Sequence, residues 1–349
     1  MADVRGKKIF VGLSGGVDSA VSAALLKQAG AHVTGVFIKG WYPPEMPCTW
    51  AAERRDAMRV AARLKIPFRT FDASIEYKKG VIDYLLAEYR AGRTPNPDVM
   101  CNREVKFGAF FRYAMAQGAD AIAMGHYRSG EKDQSYFLWA VPRDILNATI
   151  FPVGNREKSE VRALAKRFNL PVAEKKDSQG ICFLGPVSVK EFLIKEFGDD
   201  NPALLYTIGQ RIDSDGVPHE ALSRPPVSLG DGEARRGPWY VVGKDVEKKE
   251  IMISKTRESA AHIISFTDAN WFNLPTIPNP SYRTDLVLSA QCRYRGPCVK
   301  GNIERVEKYD SLDLYRFVST EPLPDTPTPG QSIVFYRSDE LVGGGIIAS

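Results

Sequence analysis

A glycine-rich string near the start of the chain is the first feature whose residues could do chemistry. The string Gly12–Ser19 (GLSGGVDS) overlaps the end of a short apolar run, Lys7–Leu13. It leads into a segment with helical periodicity, Ser19–Ala29. Glycines let the backbone turn tightly and present N–H groups to phosphate oxygens, and the positive end of the helix dipole adds to the attraction. This order of strand, glycine-rich string and helix predicts a phosphate-binding turn. The alternative is a plain strand-to-helix turn.

The details of this loop narrow the type of nucleotide site. It has no Gly-Lys-Ser/Thr ending, as the common P-loop does, and it lacks the spacing G-x-G-x-x-G. The string SGGVDS instead resembles the pyrophosphatase-loop motif of ATP enzymes that cleave between the α and β phosphates and transfer AMP. That resemblance implies that Asp18 binds Mg²⁺ and that the hydroxyls of Ser14 and Ser19 contact phosphate.

Two cysteines lie in contexts that could support reactivity. Cys101 stands between a Pro-rich loop, RTPNPDVMC, and a predicted helix, where the helix dipole and unpaired N–H groups stabilise a thiolate. Asp98 precedes it by three residues, close enough to exchange a proton with a group held there. Cys182 lies in the polar loop DSQGICFLG. Taken singly, each thiol is more often a small hydrophobic residue in a core.

The remaining cysteines and the histidines form no metal-binding pattern. Cys48, Cys292 and Cys298 lack a comparable context, and no C-x-x-C pair occurs. The four histidines, at positions 32, 126, 219 and 262, show no ligand spacing. Neither a zinc ion nor an iron–sulfur cluster is therefore expected.

Strands alternate with helices through the first part of the chain. Apolar runs predict strands at Lys7–Leu13, His32–Ile38, Pro67–Phe71 and Ala119–Met124. Helical periodicity occurs at Ser19–Ala29, Ala51–Leu64, Ile75–Ala91 and about Asn102–Ala116, and again from about Asp133 to Phe168 with breaks at Pro142 and Pro152. This alternation is typical of an α/β domain with a parallel sheet.

The second half of the chain has a different texture. Gly and Pro become frequent after about Gly198, and Leu222–Pro238 has the composition of a linker or extended loop. From about Ile263, short alternating strands separated by turn residues predict a small β-barrel. We therefore expect three domains, at residues 1–198, 199–262 and 263–349.

Bulk properties set wide limits on function. The 349 residues are 44% hydrophobic and 26% charged, with a net charge of +5, which permits a nucleic-acid partner without requiring one. There is no signal-peptide pattern, and no window is apolar enough to span a membrane. Five cysteines are too few for a disulfide scaffold of this size, so reduced thiols and a cytoplasmic location are expected.

Taken together, these strings resemble one family, the tRNA-specific 2-thiouridylases (the MnmA or TrmU family). The matching blocks occur in the family's order and extend from near residue 7 to the C-terminus. They are GLSGGVDSA, GVFIKGW, AGRTPNPDVMCN, GHY, KDQSYF, KKDSQGICF, YTIGQR, PWYVVGKD, CRYR, PGQSIVFY and GGGII. TPNPDVMCN and DSQGICF are specific to this family rather than to pyrophosphatase-loop enzymes at large.

The resemblance implies a fold, a reaction and a set of site residues. The expected fold is an α/β pyrophosphatase-loop domain with a parallel sheet, a small central domain and a C-terminal β-barrel. The expected reaction is ATP-dependent transfer of AMP to the 2-oxygen of the wobble uridine of tRNA, followed by replacement of that oxygen by sulfur from a cysteine persulfide. A persulfide sulfur-donor protein is then a second partner, besides tRNA.

The implied roles are these. Gly12, Leu13, Ser14, Gly15, Gly16, Val17, Asp18, Ser19, Ile38 and Gly125 bind ATP, and Asp18 also holds Mg²⁺. Asn96, Pro97 and Asp98 meet the target base. Cys101 is the nucleophile and Cys182 carries the persulfide, and the two form a disulfide after sulfur is released. His126, Lys132, Asp133, Gln134, Arg293, Tyr294 and Gln331 contact tRNA.

Some features depart from the family pattern or permit other functions. Only Arg128–Glu131 separates GHY from KDQ, where the family usually has a longer insertion, and Ile212–Gly237 is unusually long. A basic stretch, Arg156–Lys176, has seven Lys or Arg against three Glu and could follow tRNA phosphates or be an ordinary solvated helix. The alternatives are another AMP-forming pyrophosphatase-loop enzyme, or a non-catalytic tRNA-binding homologue.

Overall fold

The computed structural model describes most of the chain and divides it into two compact units. It describes residues 3–43, 50–176, 189–198, 211–212, 218–219, 240–245, 250–254, 261–272, 287–306, 313–324 and 326–348. One unit comprises Met1–Tyr84 and Pro97–Ser188, and the other Leu85–Asn96 and Val189–Ser349. The predicted boundaries at 198/199 and 262/263 stay predictions.

The first unit is built on a five-stranded parallel sheet. Its strands are β1 (Lys8–Gly12), β2 (His32–Lys39), β3 (Phe68–Asp72), β4 (Ala121–Ala123) and β5 (Thr149–Ile150). They lie in the order β3-β2-β1-β4-β5, and every neighbouring pair is parallel. The order reverses between β1 and β4, and ligands of open α/β sheets bind at the carboxyl ends of the strands at such a point.

The helices of the chain follow the predicted alternation. They are α1 (Val17–Gln28), α2 (Trp50–Leu64), α3 (Ser74–Tyr77), α4 (Asp83–Arg90), α5 (Pro97–Met100), α6 (Phe110–Ala116), α7 (Arg143–Asn147), α8 (Lys158–Arg167) and α9 (Val189–Phe197). Two π-helical segments, Lys78–Ile82 and Cys101–Ala109, and a 3-10 helix, Ser135–Leu138, complete them. Among the described residues, no helix is long and apolar enough to cross a membrane.

The core of the first unit explains its apolar strands. Ile9, Val11 and Leu26 are fully buried in one cluster, together with residues of β2, α2 and α8. Because helices cover both faces of a parallel sheet, its central strands read as continuous apolar runs, as β1 does. The four strands predicted between residues 7 and 124 are confirmed.

Two predicted elements are wrong in detail. The helix expected from about Asn102 begins at Pro97, and Cys101 therefore lies in its second turn rather than at its N-terminus. Proline is favoured in the first turn of a helix, where its missing N–H has no helical partner to bond. The segment 133–168 contains the helices Ser135–Leu138, Arg143–Asn147 and Lys158–Arg167, but it also contains a strand that was not expected, Thr149–Ile150, which pairs with β4.

The second unit contains a closed antiparallel barrel, as predicted. Its strands are β10 (Ile263–Trp271), β11 (Leu288–Gln291), β12 (Cys298–Arg305), β13 (Tyr315–Ser319), β14 (Ser332–Arg337) and β15 (Glu340–Ile347), joined in the order β10-β13-β12-β11-β14-β15. Phe266, Phe317 and Phe335 fill its interior. A separate four-stranded sheet comprises β6 (Arg211–Ile212), β7 (Pro218–His219), β8 (Tyr240–Asp245) and β9 (Glu250–Ser254).

Candidate active site

The predicted phosphate-binding loop lies at the point where the strand order reverses. Strand β1 ends at Gly12 and helix α1 begins at Val17, so the loop between them consists of residues 13–16. Gly15 has a φ of +76°, and a Cβ there would lie 2.4 Å from the carbonyl oxygen of Glu53. Only glycine fits that position. No side chain caps the N-terminus of α1, where the first N–H groups of a helix have no partner within the helix.

Gly125 permits the end of β4 to approach the same helix. A Cβ at Gly125 would lie 2.9 Å from the backbone nitrogen of Ser19 and 3.1 Å from the carbonyl carbon of Asp18. Gly125 and the loop are therefore brought together, as the sequence predicts. The hydroxyl oxygens of Ser14 and Ser19 lie 3.2 Å apart, and the Ser19 hydroxyl also donates to the carbonyl of Gly16, at 3.2 Å.

Asp18 is held by two residues from distant parts of the chain. Its Oδ1 accepts a hydrogen bond from the Tyr127 hydroxyl at 2.7 Å. The ammonium of Lys158, the first residue of α8, lies 2.7 Å from Oδ1 and 2.9 Å from Oδ2. The Asp18 side chain is 30% exposed and that of Lys158 only 15%. A partly buried ion pair therefore stands at the start of α1.

A second lysine contacts the loop itself. Lys175 donates to the carbonyl of Gly15 at 3.0 Å and to Oδ2 of Asp56 at 2.7 Å. Neither Lys158 nor Lys175 was singled out from the sequence as a nucleotide ligand, since both belong to the basic stretch Arg156–Lys176. The strings KSEVR and EKK carry no sign that two of these cations point to a loop 140 to 160 residues away.

A cleft opens beside the loop and contains one of the two predicted reactive thiols. Its volume, counting space open to solvent, is about 720 Å³. Gly12, Leu13, Ser14, Ile38 and Cys101 all line it. Its other lining residues include the aromatic side chains Trp41, Tyr42 and Tyr77 and the charged Glu53 and Lys106, none of which was predicted.

The helix that carries Cys101 is fixed by buried contacts. Cys101 is 6% exposed and begins the π-helical segment Cys101–Ala109. π-Helical turns are rare in proteins, and many of those that occur lie at functional sites. The next residue, Asn102, is fully buried and donates from Nδ2 to the carbonyl of Phe137, at 3.0 Å. This bond joins the helix to the 3-10 helix Ser135–Leu138, in the KDQSYF block.

His126 lies beneath the same helix rather than on the surface. Its ring centroid is 5.4 Å from that of Phe107 and 6.3 Å from that of Phe151. Burial, together with the charge of Lys106, lowers the pKa of His126 to about 3, so the ring is neutral at physiological pH. Among the described residues its Nδ1 has no hydrogen-bond partner. A tRNA contact by His126 stays a prediction.

The other residues predicted to meet tRNA or the target base are dispersed. Asp98 is exposed at the second position of α5, following Pro97, and Asn96 is half-buried before it. Gln134 accepts from the backbone of Tyr127 at 3.1 Å, and Asp133 accepts from the backbone of Ser135 at 2.8 Å. Lys132 precedes them in the same turn.

In the barrel unit, the predicted tRNA contacts lie at two loops. Arg293 and Tyr294 lie in the turn between β11 and β12, where the Arg295 guanidinium stacks 5.2 Å from the Tyr294 ring. Gln331 lies before β14 and donates to backbone carbonyls of Thr94 and Pro95. Cys182 lies outside the described residues, as does Cys48, and its pairing with Cys101 stays a prediction.

Asp18 is the carboxylate of the nucleotide loop that a metal ion could contact. Over the residues that the structure describes, no group of three His, Cys, Asp or Glu side chains is close enough to hold a metal ion. Mg²⁺ is usually held by one or two carboxylates together with substrate phosphates. Asp18 fits that role as a single partly exposed carboxylate.

Comparisons with known proteins agree with this architecture. The family described as tRNA methyl transferase HUP domain matches residues 7–186, and the aminomethyltransferase β-barrel domain matches residues 261–347. A 4-thiouridine synthetase solved with RNA and ATP aligns with 55% of the chain and 51% of its own length, at 21% identity and a TM-score of 0.39. This structural likeness is too weak to carry an argument.

Similarity to proteins of related sequence is much closer. The tRNA-specific 2-thiouridylase MnmA of Streptococcus thermophilus is 37% identical, over 99% of this chain and 96% of its own length. The protein of the same name from Marinomonas sp. is 40% identical, over 98% and 91%, and that from Pseudomonas aeruginosa is 39% identical, over 98% and 95%. With such identity over nearly its whole length, the chain belongs to the tRNA-specific 2-thiouridylase family.

Proposed function

We propose that this protein is a tRNA-uridine 2-sulfurtransferase that uses ATP to activate the wobble uridine, position 34, and a cysteine persulfide to supply sulfur. The observation that carries the proposal is the shared cleft, in which Gly12–Ser14 of the pyrophosphatase loop and the thiol-bearing Cys101 line one space. A nucleotide bound at the loop and a base offered to the thiol would then react in one place. Membership of the 2-thiouridylase family supports the same reaction.

The ATP phosphates are assigned to the loop and the N-terminus of α1. No side chain caps the N-terminus of α1, and the helix dipole favours negative charge there. Lys158 and Lys175 bring two positive charges to this loop, which lacks the lysine of the common P-loop. Ile38 and Gly125 complete the proposed ATP site. Asp18 would hold Mg²⁺, which neutralises phosphate charge when bound.

The first chemical step makes the uracil oxygen a leaving group. The 2-carbonyl oxygen of uridine attacks the α-phosphorus of ATP, the bond between the α and β phosphates breaks, and pyrophosphate departs. The product carries AMP on the former carbonyl oxygen. The loop suits this step because it contacts phosphates through fixed backbone donors, which stabilise developing negative charge without reorganising.

The second step replaces that oxygen by sulfur. A persulfide-bearing donor protein first transfers its outer sulfur to Cys182. The Cys101 thiolate attacks the inner sulfur of the Cys182 persulfide, which forms a Cys101–Cys182 disulfide and releases hydrosulfide. Hydrosulfide attacks carbon 2 and AMP leaves. A dithiol reductant supplies two electrons to reopen the disulfide. Asp98, three residues before Cys101, is the proposed proton-exchange group at the target base.

The substrate is proposed to be an unpaired base of the anticodon loop. A single-stranded base can be turned out of its stack at modest cost and held against aromatic side chains. Trp41, Tyr42 and Tyr77 give the cleft flat apolar walls of that kind. The proposed contacts to the base or the tRNA are still Asn96, Pro97, Asp98, His126, Lys132, Asp133, Gln134, Arg293, Tyr294 and Gln331.

Product analysis tests this proposal. The protein is incubated with ATP, Mg²⁺, unmodified tRNA, a persulfide donor and dithiothreitol. We expect AMP, pyrophosphate and 2-thiouridine in equal amounts, measured by chromatography and nucleoside mass spectrometry. Release of ADP and phosphate would contradict the assignment of the loop. AMP formation without sulfur in the tRNA would favour another AMP-forming enzyme of the same superfamily.

A further inference from the structure

The backbone just before the predicted base-contacting residues is bonded to a loop of the barrel. Within the second unit, the N–H of Thr94 donates to the carbonyl of Pro329 at 2.8 Å. The side-chain amide of Gln331 donates to the carbonyl of Thr94 at 2.8 Å and to that of Pro95 at 3.2 Å. Both protons of one amide group are therefore used to hold two successive peptide groups.

The barrel loop Thr328–Gln331 is shaped for this contact. Gly330 has a φ of +90°, and a Cβ there would lie 2.9 Å from three backbone atoms of Thr94. The N–H of Gly330 donates to the carbonyl of Ile347 at 2.9 Å, and the N–H of Ile347 donates to the carbonyl of Gln331 at 2.8 Å. The loop is thus tied to the last barrel strand and does not yield easily.

The held segment is also restrained from its other side. The N–H of Arg93 donates to the carbonyl of Glu88 at 2.9 Å, at the end of α4. Its guanidinium pairs with both oxygens of the Glu88 carboxylate. Pro95 and Pro97 have fixed φ angles, and a residue before proline is confined to extended conformations. With Thr94 and Pro95 fixed, little freedom remains for Asn96, which belongs to the same unit.

We propose that Gln331 is a positioning residue. Together with the backbone of Pro329 and Gly330, it fixes Thr94–Pro95 and so holds Asn96, the next residue of the same unit, in a set conformation before tRNA arrives. This inference rests on the proposed function, in which Asn96–Asp98 meet the target base. It gives Gln331 a role inside the protein that differs from the tRNA contact implied by the family resemblance.

The substitution Gln331→Glu tests the role with little change in size. A carboxylate cannot donate to the two carbonyls and is repelled by them. We expect hydrogen exchange at the Thr94 amide, in the peptide spanning residues 91–99 of free protein, to become about tenfold faster, which corresponds to about 1.4 kcal/mol. We also expect kcat for thiolation at saturating tRNA to fall about tenfold with KM for ATP unchanged.

Gln291→Glu is a matched control in the same barrel. Gln291 donates from its amide to the carbonyl of Gly296 at 2.8 Å, in the turn between β11 and β12. The control should leave exchange at Thr94 as in the wild type. Gln331→Lys restores donors to the carbonyls, so it should recover part of the protection that Gln331→Glu loses.

Three outcomes would overturn the inference. Unchanged exchange in free Gln331→Glu, with weaker tRNA binding, would make Gln331 a tRNA contact only. Faster exchange with unchanged kcat would make the bond structural and without effect on the reaction. If the wild type shows the protected amide but forms no 2-thiouridine, the contact stands while the proposed function fails, and the positioning role fails with it.

Discussion

The nucleotide loop Gly12–Ser19 and the segment Arg93–Asn96 that leads to Cys101 are stabilised in different ways. In the first, Ser14, Gly16 and Ser19 bond one another within six residues, and glycines permit the close approaches. In the second, the bonds to Thr94 and Pro95 come from residues more than 230 positions away. The first loop can form once β1 and α1 form, whereas the second needs the folded barrel.

This difference separates two kinds of dependence. Binding and activation of ATP should depend on residues of the first unit alone, among them the two lysines that reach the loop. Delivery of sulfur should depend in addition on how the segment Arg93–Asn96 is held. Substitutions can therefore uncouple the two halves of the proposed reaction, and the expected effects range from complete loss to a small change in stability.

The largest effect is expected from the thiols. Cys101→Ser and Cys182→Ser should each abolish 2-thiouridine formation, because each removes a sulfur that the transfer requires. Cys101→Ser should still accumulate a persulfide on Cys182, whereas Cys182→Ser should accept no sulfur, as mass spectrometry of the intact protein can show. Cys298→Ser, at an exposed position of the barrel, is the control and should keep full activity. Retained thiolation in either active-site variant would break the two-thiol scheme.

The next largest effect is expected at Asp18. Asp18→Asn keeps the shape of the side chain but removes the charge that pairs with Lys158 and that would bind Mg²⁺. We expect AMP release to fall by at least about 100-fold, the size of effect seen when one charge-stabilising group is lost from an active site. Asp72→Asn is the control, because Asp72 also pairs with a lysine, Lys39 at 2.8 Å, yet lies outside the cleft. Equal losses in both variants would deny Asp18 a special role.

How far the sequence predicts the molecule follows from the range of the contacts. Strands β1 to β4 and helices α1 and α2 are predicted to within a few residues, because apolar runs and helical periodicity are local. The predicted start of the Cys101 helix is wrong. Two prolines close together, at positions 95 and 97, are typical of a loop, whereas in the structure Pro97 is the first residue of the helix. The short strand β5 is missed, because its pairing with β4 is not visible in two residues.

The candidate site divides in the same way. The string SGGVDS marks its own loop, since the chemistry of that loop resides in neighbouring residues. Lys158, Lys175 and the aromatic wall of the cleft are contributed by parts of the chain without a motif of their own. The basic stretch Arg156–Lys176 is visible in the sequence as a charge pattern. The charge pattern alone does not indicate that Lys158 contacts Asp18 and that Lys175 contacts Gly15.

A smaller effect is expected from Lys158, and it separates ATP binding from tRNA binding. Lys158→Met should lower kcat/KM for ATP by about 10- to 100-fold, since a hydrogen bond to a charged group contributes about 1.5 to 3 kcal/mol. Lys166→Met, on the same helix, is the matched control: Lys166 is exposed and pairs with the exposed Glu174 at 3.0 Å. It should leave the ATP kinetics unchanged. If Lys158→Met weakened tRNA binding alone, the basic stretch would belong to the tRNA surface instead.

The smallest effect concerns His126, which packs against the Cys101 helix through Phe107. Burial holds its pKa at about 3 in the folded protein, below the ordinary value of 6.5. A proton therefore binds more readily to the unfolded chain, so this histidine's contribution to stability is full above pH 6.5 and declines as the pH falls toward 3. Between pH 7 and pH 5.5 the loss amounts to about 1 kcal/mol.

His126→Phe should remove this part of the pH dependence, because phenylalanine fits between Phe107 and Phe151 and does not titrate. The measurement is urea-induced unfolding of wild type and variant at pH 7 and pH 5.5, with pH 8 as a third point at which the two proteins should again differ as they do at pH 7. When the pH is lowered from 7 to 5.5, the free energy of unfolding should fall less in the variant than in the wild type. If both proteins lost the same stability, His126 would be open to protonation in the folded state. The helix that carries Cys101 would then not be packed on a buried, neutral residue, and in this respect it would not differ from the partly exposed nucleotide loop.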